Sequence, residues 1–111
     1  MSGMKIMCVE GQPEYMVILT AALEGIGYEV VSASNGGQAI DLLTKHAIDG
    51  VLLEYYLPDA NSAALRAKLK AVRPDIPVLL FAGIGSQTPF MLRFLDVYLR
   101  NAERFGDGVE C

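Results

Sequence analysis

Two carboxylates stand where chemistry can be done. Glu10 closes the apolar run Lys5-Ile6-Met7-Cys8-Val9 and Glu54 closes Val51-Leu52-Leu53; Gly11-Gln12-Pro13 breaks the chain after the first, and Leu57-Pro58-Asp59-Ala60-Asn61 soon after the second. A short apolar run that stops at a polar group is how a buried parallel strand hands a side chain to its C-terminal edge. In open α/β sheets that edge borders the crevice where ligands sit. Acids there can take up a transferred group, hold a weak Ca2+ or Mg2+ with a backbone carbonyl near Tyr56 as third ligand, or stand as solvent-facing strand-end charges.

The other reactive side chains have plainer readings. His46 follows a helical stretch and suits a surface position at a helix C-terminus. Arg66, Lys68, Lys70 and Arg73 point away from Leu65, Leu69 and Val72 and read as one solvated helix face. Cys8 lies inside an apolar strand, as a small core residue, whereas Cys111 is terminal and open to intermolecular oxidation. Tyr55 and Tyr56, beside Glu54, suit a contact surface or packing over the loop.

The elements that must position these groups alternate. A strand reaches Glu10, and a helix beginning at Pro13 carries Met16, Leu19, Leu23 and Ile26 on one stripe and stops at Gly25 and Gly27. A strand over 28–33, a turn over 34–37 and a helix over 38–45 lead to the strand ending at Glu54. A third helix over 62–72, a strand over 76–81 with Pro77 at its entry, a flexible turn over 82–86, a short helix over 89–95 and a brief fifth strand over 96–99 follow. Beyond Asn101 the pattern offers about one helical turn. This alternation predicts a parallel sheet covered on both faces.

A chain of 111 residues is of single-domain size, and 52% hydrophobic against 20% charged residues describes a core-rich fold. The net charge of -4 argues against nucleic acid or an anionic membrane as partner. Cysteines only at 8 and 111 are badly placed to staple loops, and no apolar run reaches the ~18–20 residues of a spanning helix. The expectation is a soluble, cytoplasmic protein.

The stretches KIMCVEGQPE (5–14), GYEVVSASNGGQAIDLL (27–43), DGVLLEYYLPDANS (49–62), VRPDIPVLLFAG (72–83) and DVYLRN (96–101), in this order and spacing, resemble the receiver domain of bacterial response regulators in two-component signalling. The resemblance implies a flavodoxin-like three-layer α/β fold with a five-stranded parallel sheet of order 2-1-3-4-5. The closing helix is expected to be shortened or absent, so that apolar side chains beside the first helix are uncovered. One receiver-like domain is expected, with its core at about 4–101 and an irregular tail at 102–111.

The same resemblance assigns roles that the residues here depart from. The family's metal-holding acidic pair falls on Glu10 and Gly11, its phosphoacceptor aspartate on Glu54, its strand-four hydroxyl on Ala82 and its lysine on Asn101; a common glycine falls on Ser62. Its aromatic switch position matches at Tyr98. The expectation is a degenerate receiver: no catalysis, no cofactor in place of the family's Mg2+, and a protein-interaction role through Tyr98, Phe90, Met91 and Phe94. Glu54 then either imitates the phosphorylated state or is inert. The partner implied is a histidine kinase, another regulator or a second copy of the chain. The alternatives are an active receiver phosphorylated at Glu54 with Mg2+, and a metal or small-molecule binder using the same crevice.

Overall fold

The computed structural model of the chain describes residues 3–58, 60–83, 85 and 88–100. Its elements run β1 (Lys5–Val9), α1 (Pro13–Gly25), β2 (Glu29–Ala33), α2 (Gly36–Lys45), β3 (Gly50–Glu54), α3 (Ser62–Val72), β4 (Val78–Phe81) and α4 (Thr88–Arg100). The four strands form one parallel sheet of order β2-β1-β3-β4. The start and stop signals act locally. Pro13 opens α1, Asn35 and Asn61 cap α2 and α3 by accepting from the Gln38 and Ala64 N–H groups, and Gly27 turns the chain out of α1 with φ +104°.

Alternation along the strands divides the core. Met7, Val9, Val51, Leu53, Val78 and Leu80 face α2 and α3, while Ile6, Cys8, Leu52, Leu79 and Phe81 face α1 and α4. Because both faces are covered, β1, β3 and β4 are apolar almost without interruption, as a buried parallel sheet requires.

Residues 96–99 do not form the expected fifth strand; they continue α4, which also absorbs the short helix expected over 89–95. Met91, Leu92, Leu95, Tyr98 and Leu99 are all buried, and their spacing is that of one helix face, whereas Val97 is half exposed. The four residues 96–99 were too few to separate the two periods. The consequence reverses a second expectation. α4 lies on the α1 side of the sheet, with Leu99 so close to β3 that a Cβ on Gly50 would come within 2.5 Å of its Cδ2. The face expected to be uncovered is therefore covered by α4, and β4 is the outer strand among the described residues. The expected tail at 102–111, and Cys111 in it, lie outside the described residues.

Candidate functional site

The register of the sheet builds the site. β1 and β3 are neighbours with Val9 opposite Leu53, so the next residue of each, Glu10 and Glu54, meet at the C-terminal edge. Their carboxyl groups are within hydrogen-bonding reach of each other. Glu54 also pairs with Phe81 of β4, which brings the following loop and Gly83 over its head group.

Neither acid is solvent-facing: Glu10 is 2% and Glu54 3% exposed. The strand-end charge expected in water is instead wrapped in backbone donors. The Gly83 N–H donates to both Glu54 oxygens at 3.0 and 3.1 Å, and the Tyr56 N–H donates to Oε2 at 2.9 Å. Glu10 is less well served. Its Oε2 accepts from the Gln12 N–H at 3.1 Å, while the buried Oε1 has no hydrogen-bond donor. Burial above all, and then the adjoining Glu54 carboxylate, push the Glu10 pKa up, against the Gln12 and Gly11 N–H groups that pull it down. The arrangement is a carboxyl pair in which the proton settles best on Glu10, where it supplies the missing donor.

Gly11 and Pro58 show why the neighbouring position carries no side chain. A Cβ on Gly11 would lie 3.0 Å from Pro58 Cδ and 3.3 Å from its Cγ, so the proline ring fills the space in which an acid at position 11 would start. Behind Glu10 opens a cavity of about 290 Å³ lined by Glu10, Gly11, Met16, Ser32, Ser34 and Gln38, among others. Among the described residues no group of three or more His, Cys, Asp or Glu side chains is placed to hold a metal ion.

The remaining expected positions scatter. Ala82 is exposed beside Gly83 and offers a methyl group where a hydroxyl was sought. Ser62 is buried at the start of α3. Asn101 and Asp59 lie outside the described residues. The surface drawn at Phe90, Met91, Phe94 and Tyr98 is split by α4: Phe90 points to solvent, Met91 and Tyr98 are buried, and Phe94 is half-buried and stacked on Tyr98 at 6.4 Å. Tyr55 and Tyr56 are both exposed and meet edge to face at 5.0 Å. His46 is exposed at the end of α2.

Sequence reasoning missed two contributors. Gly83 was read only as part of a flexible turn, although it adopts φ +76°, where a glycine is the comfortable residue, and its N–H is the main partner of Glu54. The closure of Pro58 on Gly11 was not foreseen either; a glycine directly after a strand-end acid, in a chain with a proline loop after the next, was the only hint.

Residues 6–100 match the response regulator receiver domain. The chain is 29% identical over 85 residues to sporulation initiation phosphotransferase F of Bacillus subtilis, covering 77% of this chain and 68% of that protein. It is 32% identical over 81 residues to the transcriptional regulatory protein ZraR of Escherichia coli, covering 73% of this chain but only 18% of that much longer protein. A CheY-like receiver domain protein from Methanospirillum hungatei superposes with a TM-score of 0.81 at 20% identity, over 95% of this chain and all of that one. The HemR receiver domain of Leptospira biflexa does so with a TM-score of 0.69 at 26% identity, over 96% of this chain and 79% of that one. The flavodoxin-like order of the strands, the strand-end acids and these matches agree, and the chain belongs to the response regulator receiver domain family.

Proposed function

We propose that this receiver domain is a non-phosphorylatable protein-interaction module of a two-component or phosphorelay pathway, working in the cytoplasm without enzymatic activity. One observation carries the reading: the Glu54 carboxylate occupies the Gly83 and Tyr56 N–H groups. At the phosphoacceptor position an aspartate, one methylene shorter, would stop short of those donors and leave them for the oxygens of an acyl phosphate. Glu54 reaches them with its own oxygens, so the site is permanently filled by a negative group. Of the two roles open to Glu54, standing in for the phosphorylated state or being inert, this geometry favours the first. Ala82 has no hydroxyl through which the filled site would be read out, so the output passes through the backbone of the Gly83 loop.

The family's Mg2+ does not suit the residues present. A Mg2+ site wants near-octahedral oxygen ligands. Here the second acid is Gly11, its space is taken by Pro58, and both Glu54 oxygens are already bound to N–H groups. The partner is another protein of the pathway, a kinase, a regulator or a second copy.

The test is thermal melting with Mg2+ and beryllofluoride, together with mass spectrometry after incubation with acetyl phosphate. The expected result is an unchanged melting temperature and no added phosphate. A phosphoryl-mimic complex at 100 times its Kd would stabilise the fold by about 2.7 kcal/mol, which is easily measured. A rise of that size, or a phosphorylated Glu54, would overturn the proposal.

A further inference from the structure

The two outer strands of the sheet are dressed differently. β2 closes one side with Glu29 and Ser32 exposed, in the manner of an edge that meets water. β4 closes the other side among the described residues, yet Val78-Leu79-Leu80-Phe81 is apolar and buried from end to end, like an interior strand. Only half of its backbone is used. The Val51 and Tyr55 N–H groups donate to the Pro77 and Phe81 carbonyls, so Pro77, Leu79 and Phe81 turn their peptide groups to β3. Val78 and Leu80 turn theirs outward, to a side with no strand among the described residues.

The helices on either side of this edge present different chemistry. On α3, Ala64, Leu65 and Lys68 face α2, which puts Arg66, Lys70 and Arg73 on the opposite flank, towards the outer side of β4. Lys70 Nζ donates to the Ile76 carbonyl, just before the strand, at 2.6 Å, which fixes the flank there. Arg66, one turn earlier, has its Nε buried without an acceptor, and α3 contains no acid to supply one. On α4, Leu92, Arg93 and Asp96 face α1, so Phe90, Met91 and Phe94 lie on the flank towards the same edge.

We propose that the outer edge of β4 takes up an extended acidic segment of a partner protein as an added strand, with its carboxylates on Arg66. Strand addition supplies main-chain hydrogen bonds at Val78 and Leu80, and alternate side chains then decide which segment fits. Val78 and Leu80 face α3, while Leu79 and Phe81 face α4. The added strand therefore points one set of side chains at Arg66 and the other at Phe94 and Met91, and the fitting sequence alternates aspartate or glutamate with apolar residues. A second copy's β4 fits poorly, because it carries no acid and would bring one Arg66 flank against another. Nor does the chain continue into this place by a favoured route. α4 packs on the same face as α1, but the open edge lies at the opposite end of the sheet from β2. A strand laid beside β4 directly after α4 would have the opposite hand to β1-α1-β2, and about 98% of such crossovers are right-handed. The edge is separate from the Glu54 carboxylate, and its use stands whether or not that residue accepts phosphate.

The probe is an end-blocked peptide of about six residues that alternates glutamate with valine. It is titrated to ~1 mM into the full chain while amide hydrogen exchange is followed by NMR. The expected result is saturable binding, with exchange at the Val78 and Leu80 amides slowed about tenfold or more. Arg66→Gln should weaken binding about tenfold. A peptide with lysine in place of glutamate, and one N-methylated along the side that meets β4, should not bind; these controls leave the protein unchanged. Absence of binding, binding of either control peptide, or indifference to Arg66→Gln in a chain that keeps its circular dichroism would overturn the proposal. So would Val78 and Leu80 amides already protected in the dilute chain alone, which means that the chain covers its own edge, or protection that rises with chain concentration, which means that a second copy does.

Discussion

Glu10→Gln should make the domain more stable at neutral and alkaline pH. Once Glu10 loses its proton, two carboxylates meet in a buried setting, and Glu10 Oε1 has no donor. Glutamine keeps the shape. Its amide oxygen can accept from the Gln12 N–H in place of Oε2, and its NH2 group takes the place of Oε1 and donates to Glu54. A hydrogen bond to a charged group contributes about 1.5–3 kcal/mol, so a gain of about 2 kcal/mol is expected at pH 8. For a chain of this length that is roughly 8 °C in melting temperature. The pH dependence has a definite sign. The Glu10 pKa in the folded state lies above its ordinary 4.5, so the folded state binds the proton more tightly than the unfolded one. The stability this lends is fully present below 4.5 and is lost as the pH rises through the folded value. The advantage of the glutamine variant should therefore be small near pH 4.5 and grow as the pH rises. Thermal melts of both chains from about pH 4.5 to 8.5 read this directly. A variant no more stable than the parent at pH 8, or a gap that does not widen with pH, would refute the carboxyl pair.

Gly11→Asp places a Cβ about 3.0 Å from the Pro58 ring and should cost about 1–3 kcal/mol in urea unfolding by crowding, without making the melting temperature depend on Mg2+. Gly50→Ala brings a methyl group to 2.5 Å from Leu99 Cδ2; a loss of about 1 kcal/mol is expected, because the end of a leucine side chain can move. Burial, reinforced by the Glu10 carboxylate, pushes the Cys8 thiol up to about 12. In a Cys111→Ser chain, labelling of Cys8 by a disulfide reagent at pH 8 should therefore be as slow as unfolding. Rapid labelling of the folded chain would show that β1 opens locally.

Most of the architecture could be read before the structure because the strands and caps are written in short-range signals. Pro13, the Gly25 and Gly27 stop, and the apolar blocks ending at Glu10 and Glu54 each specify their own element, and the bounds expected for α3 are those observed. The C-terminal third was less legible. Residues 96–99 suit either a strand or the last turn of a helix, and the choice was made by what Leu95, Tyr98 and Leu99 could bury against β3 and α1, a tertiary matter. The site was half legible. Strand register makes Glu10 and Glu54 neighbours, which the pattern foretold, but their burial depends on backbone N–H groups of loops, and an N–H at Gly83 or Tyr56 leaves no mark on residue type. Crowding between Pro58 and Gly11 joins positions far apart in sequence and has no local signature.

The place of β1 in the sheet has a consequence for how the chain is made. β1 precedes both of its partners in the chain, yet it pairs on one side with β2 and on the other with β3. Until Gly50–Glu54 has left the ribosome, an apolar five-residue strand with two open edges has at most one neighbour to pair with. The whole stretch from Lys5 to Glu54 must therefore emerge before the central pairing can close, and contacts so distant in sequence form slowly. During that interval Lys5–Val9 is the segment most exposed to wrong pairing and to chaperones. The lysine at its start is then the one charge that discourages edge-to-edge association.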